Sequence, residues 1–149
     1  MNDDTIRMLR FAGQGFYCSQ ILLFMGLEAQ GKQNSDLIRA MAGLAGGLGF
    51  CGDTCGALTG GACLLGLYAG RGLDDEGEDP RLNIMISELV SWFTSEFEGL
   101  YGGIRCETIL DNDPKSRTTR CPGLVLGTWE KVKALLVENG FDLRGEDRE

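Results

Sequence analysis

Between Leu82 and Tyr101 apolar residues recur at helical spacing, through Leu82, Met85, Ile86, Leu89, Val90, Phe93, Phe97, Leu100 and Tyr101. Glu88, Glu96 and Glu98 fall mostly off that stripe, so one face is built for burial and the other for water. Asp79-Pro80 supplies a cap and a proline suited to the first helical position, and Gly102-Gly103 ends the pattern. A second stripe of Val125, Trp129, Val132 and Leu136 predicts a helix over Leu124 to Asn139. Asn139-Gly140 closes it, and Phe141 is placed to fold back on it. Shorter helices are expected over Thr5 to Ala12 and Phe16 to Ala29. Asn34-Ser35-Asp36 caps another, carrying Leu37, Ile38, Met41, Leu44 and Leu48, and Asp53-Thr54 starts one that ends near Gly70 or Gly72. No sustained alternation of Val, Ile and Thr supports strands. The predicted fold is all-α, a compact multi-helix bundle.

The 149 residues suit a single domain, 1–149. Asp74 to Asp79 and Asp111 to Thr119 read as irregular connectors, and 144–149 as a flexible acidic tail. Glycine inside a predicted helix costs up to ~1 kcal/mol relative to alanine, so it calls for a reason. Gly52, Gly56 and Gly60 repeat every four residues, as do Ala62, Gly66 and Gly70. Each row lies on one helical face, which points to close helix packing, and near the start of that helix to close approach of a cofactor.

Composition then excludes chemistry. The chain has no histidine, so Ser–His and Cys–His nucleophile pairs, imidazole bases, mixed Cys/His zinc fingers and His-ligated haem are ruled out. A formal charge of −8 argues against nucleic acid or an anionic membrane surface as partner. The most apolar stretch, Ala40 to Gly70, is split by Asp53 and rich in glycine, so no membrane span is expected. Met1-Asn2-Asp3-Asp4-Thr5 opens with acid and leads into no apolar run, which implies no secretory signal and a cytoplasmic location. In that compartment thiols stay reduced, and several cysteines point to metal or redox chemistry.

The six cysteines are Cys18, Cys51, Cys55, Cys63, Cys106 and Cys121, and none forms a C-x-x-C pair. Thioredoxin-type motifs, zinc ribbons and local ferredoxin spacings are therefore absent. Position is more telling than spacing. Cys18 begins the second predicted helix, Cys55 follows the Asp53 cap, Cys106 opens a short helical segment through Leu110, and Cys121 precedes Pro122 at an expected helix start. Thiols in first turns meet unpaired N–H groups and the positive end of the helix dipole, which favours thiolate. Arg105 and Arg120 add positive charge beside two of them. Cys63, within Ala62-Cys63-Leu64-Leu65, reads as a small buried hydrophobe, and Cys51 leans the same way.

These motifs resemble a known family. Gly46-Gly47-Leu48-Gly49 followed by Cys55-Gly56-Ala57-Leu58-Thr59-Gly60 is similar to the signature of the C_GCAxxG_C_C family of redox-active proteins. Gly15-Phe16-Tyr17-Cys18-Ser19-Gln20 resembles its N-terminal cysteine motif, and Cys106-Glu107-Thr108-Ile109-Leu110 and Cys121-Pro122 resemble its C-terminal segments. The resemblance implies that Cys18, Cys55, Cys106 and Cys121 act as a set, with Cys51 and Cys63 outside it. It further implies a prokaryotic protein with a prosthetic group such as an iron–sulfur cluster, and partners among oxidoreductases or transporter-associated proteins. Three functions follow for such a set: an iron–sulfur electron-transfer or redox-sensing protein, a thiol–disulfide oxidoreductase or sensor using Cys106 and Cys121 with Cys18 or Cys55, and a structural four-cysteine zinc site. An accessory redox protein is favoured over a stand-alone enzyme. Trp92 and Phe97, read as exposed, offer a surface for a homodimer.

Overall fold

Two helices that are apolar all round form the middle of the molecule, and helices with a single apolar stripe enclose them. The structure is a computed structural model and describes residues 2–145. The last four residues of the expected 144–149 tail lie outside the described part. Among the described residues there are seven α-helices: α1 (Asp3–Gly13), α2 (Cys18–Ala29), α3 (Ser35–Met41), α4 (Gly56–Ala69), α5 (Arg81–Tyr101), α6 (Cys106–Ile109) and α7 (Arg117–Glu138). Among the described residues the only β-type pairing is an isolated antiparallel bridge between Thr54 and Arg105. The chain is all-α, as its periodicity implies.

Helices α2 and α4 pack most extensively on each other, and α4 also contacts α5 and α7. Both central helices are buried on nearly every side, which is why neither shows a clean amphipathic stripe. Missing side chains let them approach. A Cβ on Gly60 would stand 3.0 Å from the Ser19 Cα, and one on Gly26 would run into the Leu64 side chain. Gly61 gives the same relief toward α7 and α5, where a Cβ would lie 2.7 Å from Thr128 and 3.0 Å from Leu89. The four-residue rows hold only in part. Gly52 lies in a loop at φ +79°, outside any helix, and Gly66 faces open space.

Local signals explain most boundaries. The Asn34 side chain accepts from the Leu37 N–H at 3.0 Å and caps α3. Asp79 accepts from the Arg81 N–H at 2.9 Å ahead of α5, and Gly102 ends α5 at φ +90°. Gly140, at φ +83°, follows α7, and Phe141 is buried beneath it.

Five expectations need correction. Helix α3 ends at Met41 and tightens into a 3₁₀ turn at Ala42–Leu44, so Leu48 leaves the helix and is 48% exposed. The fourth helix starts at Gly56, because the Asp53 carboxylate is engaged by the adjacent Thr54 N–H and caps no helix. Helix α7 starts at Arg117 after a 3₁₀ turn at Pro114–Ser116, leaving Pro122 inside it. Phe97 is buried in a ring cluster with Phe93 and Trp92, so it offers no surface to a partner, and Trp92 is half-buried. The stripe of α5 is also narrower than its pattern, since Val90 and Leu100 are exposed.

Candidate cysteine cavity

Cys18 is the first residue of α2, and the two residues after it fix that helix start in place. The Ser19 hydroxyl donates to the Met41 carbonyl at 2.8 Å. Gln20 donates to the Ile38 carbonyl at 3.2 Å and accepts from the Tyr17 N–H at 3.0 Å. A buried polar side chain must be satisfied, so these bonds tie Cys18 to the end of α3.

Between α3 and α4 the backbone makes an unusual turn. Gly46, Gly47, Leu48, Gly49 and Phe50 all take positive φ, between +57° and +74°, in unbroken succession. Glycine adopts this conformation freely, whereas leucine and phenylalanine are strained in it. The turn is held by reverse bonds from the Gly49 N–H to the Gly43 carbonyl and from the Asp53 N–H to the Gly47 carbonyl, each 3.0 Å. It leaves Cys55 as the N-cap residue of α4. The Cys55 N–H donates to the Ile104 carbonyl at 2.8 Å, and the Cys106 N–H donates to the Asp53 carbonyl at 2.6 Å. This short antiparallel pairing sets Cys55 beside the start of α6, where Cys106 is the first residue. Cys121 comes from the second turn of α7 and not from a helix start.

The side chains of Cys18, Cys55, Cys106 and Cys121 all line one cavity of about 500 Å³. A Cβ on Gly56 would stand 2.8 Å from the Cys18 sulfur and 3.0 Å from the Leu44 carbonyl oxygen, so the first residue of α4 has to be glycine-sized for Cys18 to sit there. Cys51 and Cys63 lie outside this cavity. Cys63 is exposed, which corrects its reading as a buried hydrophobe, and Cys51 is exposed on the glycine turn.

The electrostatics reverse the expectation of easily formed thiolates. Burial, reinforced by neighbouring thiols, pushes Cys18 and Cys55 up to about 12. The nearby backbone N–H groups of Ala57 and Leu58 favour the thiolate at Cys55, and that of Ser19 at Cys18, but they offset only part of the desolvation. Burial also raises Cys106 and Cys121, with Arg117 opposing the rise in both. Arg117, absent from the sequence-based set, is thus the cation of the site. Its guanidinium lies near enough to the Cys106 sulfur to favour the thiolate, and it sits 4.7 Å over the Phe50 ring. Arg105 instead pairs with Glu107 at 3.1 Å, and Arg120 donates to the Ile109 carbonyl and covers the Tyr101 ring. Among the described residues no group of three or more Cys, Asp or Glu is drawn tightly enough to hold a metal ion. The thiols surround a space and do not converge on a point.

An all-helical domain with four thiols from four segments around one apolar cavity is the class of protein this structure defines. Residues 16–135 match the family described as "Putative redox-active protein (C_GCAxxG_C_C)", and the chain belongs to that family. No curated protein and no solved structure matches it. No helix among the described residues is long and apolar enough to cross a membrane.

Proposed function

We propose that Cys18, Cys55, Cys106 and Cys121 bind an iron–sulfur cluster used for electron transfer or redox sensing. The observation that carries this reading is the placement of four thiols around a single apolar cavity. Zinc would need its sulfurs about 2.3 Å from one ion, hence closely gathered, and no such grouping exists among the described residues. A cluster spreads the same four ligands over a body of several atoms, which suits a lined cavity better than a point. The donor set also fits, because a chain without histidine has only thiolates to offer soft iron.

When bound, the cluster supplies one-electron chemistry. The chain's own contribution is to hold the sulfurs and exclude water. Cys55 is 5% exposed, and the thiols of Cys18 and Cys55 stay protonated at neutral pH unless a cation takes the proton's place. The backbone N–H groups near Cys18 and Cys55 stabilise negative charge there, and Arg117 does so on the Cys106 side. These are the groups that tune a reduction potential.

Thiol–disulfide chemistry is a second reading, favoured by one observation. Cys106 is close enough to Cys121 to raise its cost of ionisation, with Arg117 beside both. Anaerobic purification, with iron, acid-labile sulfide and absorption spectrum measured on one sample, separates the two. Stoichiometric iron and sulfide with visible absorption are expected. A colourless protein that takes up neither iron nor sulfide on anaerobic reconstitution, yet undergoes reversible two-electron oxidation lost in Cys106→Ser, overturns the cluster and leaves the thiol reading.

A further inference from the structure

The four thiols share their cavity with a larger set of apolar side chains. Among these are Met8, Leu9 and Ala12 of α1 together with Ile21, Leu124 and Val125. Among the described residues that line the cavity, Arg117 alone carries a formal charge. About 500 Å³ falls within the roughly 300–1,000 Å³ typical of small-molecule sites, which also pair apolar walls with a few polar groups.

The rim is apolar as well. Leu9, Tyr17 and Phe50 line the cavity yet remain 43%, 45% and 46% exposed, and Ala12 and Gly13 beside Leu9 are exposed too. Large apolar side chains left open around a cavity mouth mark a place where an apolar solute enters. Tyr17 and Phe50 meet edge to face at 5.2 Å, and the Arg117 guanidinium covers the Phe50 ring. The mouth therefore presents two aromatic rings and a cation together. A strained turn holds Phe50 there at φ +63°, with its ring seated against Gly46.

From this combination we infer that the cavity binds a flat aromatic molecule carrying one anionic oxygen group. Its ring lies against the α1 and α7 wall, and its oxygens meet Arg117 at the mouth. The aromatic rim suits a ring, and the single guanidinium complements one carboxylate and no more. The inference rests on the four thiols forming the wall of a working site, as proposed above, and it names the small molecule that this site admits.

The probe is 2-naphthoate, titrated calorimetrically into the full chain purified anaerobically, with iron and sulfide measured on the same sample. One saturable site is expected. Arg117→Gln should weaken 2-naphthoate at least fivefold while leaving the neutral 2-naphthamide unchanged, and Ala12→Trp, at an exposed position, should abolish both by filling the cavity. No saturable binding, equal 2-naphthoate binding in Arg117→Gln, or tighter binding of octanoate than of 2-naphthoate overturns the inference. The two readings fail separately: a sample with iron and sulfide but no naphthoate binding refutes the ligand. One without iron that binds naphthoate through Arg117 refutes only the cluster.

Discussion

Gly56→Ala tests the link between helix packing and the cysteine cavity. Alanine favours a helix interior over glycine by up to ~1 kcal/mol, less at a helix start, so propensity alone predicts stabilisation. Against that, the new methyl would stand 2.8 Å from the Cys18 sulfur and 3.0 Å from the Leu44 carbonyl oxygen. The carbonyl belongs to the 3₁₀ turn after α3 and cannot rotate away, and Cys18 is fixed by the start of α2. Overpacking of this kind costs ~1–3 kcal/mol. The net expectation is a loss of about 1–2 kcal/mol, and with it a Tm lower by roughly 3–6 °C for a chain of this size. Gly66→Ala is the matched control, in the interior of the same helix with nothing within 4 Å of the added methyl. It should gain about 0.5–1 kcal/mol. Urea denaturation of the reduced, chelator-treated chain, followed by far-UV circular dichroism, measures both, with the slope m unchanged. Opposite signs are required. If Gly56→Ala proves as stable as the parent chain, the tight seating of Cys18 against α4 is wrong.

Two more outcomes follow from the same geometry. Iodoacetamide at pH 8 should label the exposed Cys51 and Cys63 first and the buried Cys55 last, as read by peptide mass spectrometry of the reduced metal-free chain. Early labelling of Cys55 would contradict its burial. Leu48→Gly should stabilise by about 0.5–1 kcal/mol in urea denaturation, because it relieves a left-handed leucine at φ +66° whose side chain is half exposed. Leu48→Ala should bring no such gain, and equal effects of the two would show that the turn is unstrained.

What could be read in the sequence was local and periodic. The α7 stripe, the Asn34 cap and the Asn139-Gly140 stop appear as written, and so does the α5 stripe apart from the exposed Val90 and Leu100, because each depends on neighbours a few residues away. The start of α7 stayed hidden because Arg117-Thr118-Thr119-Arg120 carries no apolar stripe and Pro122 looks like a beginning. That concealment extended to the site. Once the helix starts at Arg117, Arg117 and Cys121 stand four residues apart on one face, which is the signal that would have nominated it. Four cysteines were selected by position and family motif, and the cavity they share is a long-range fact that no spacing reveals. The sign of their pKa shifts was missed for the same reason. Helix dipoles are visible in a sequence, whereas the burial that outweighs them at Cys18 and Cys55 comes from packing between α2, α4 and α7.

The most direct test is iron and acid-labile sulfide content across the six single Cys→Ser variants, each purified anaerobically and checked for folding by circular dichroism. Loss of iron and sulfide is predicted in Cys18→Ser, Cys55→Ser, Cys106→Ser and Cys121→Ser, with full retention in Cys51→Ser and Cys63→Ser. Retention in any of the first four, or loss in Cys63→Ser, would contradict a cluster held by the thiols of this cavity.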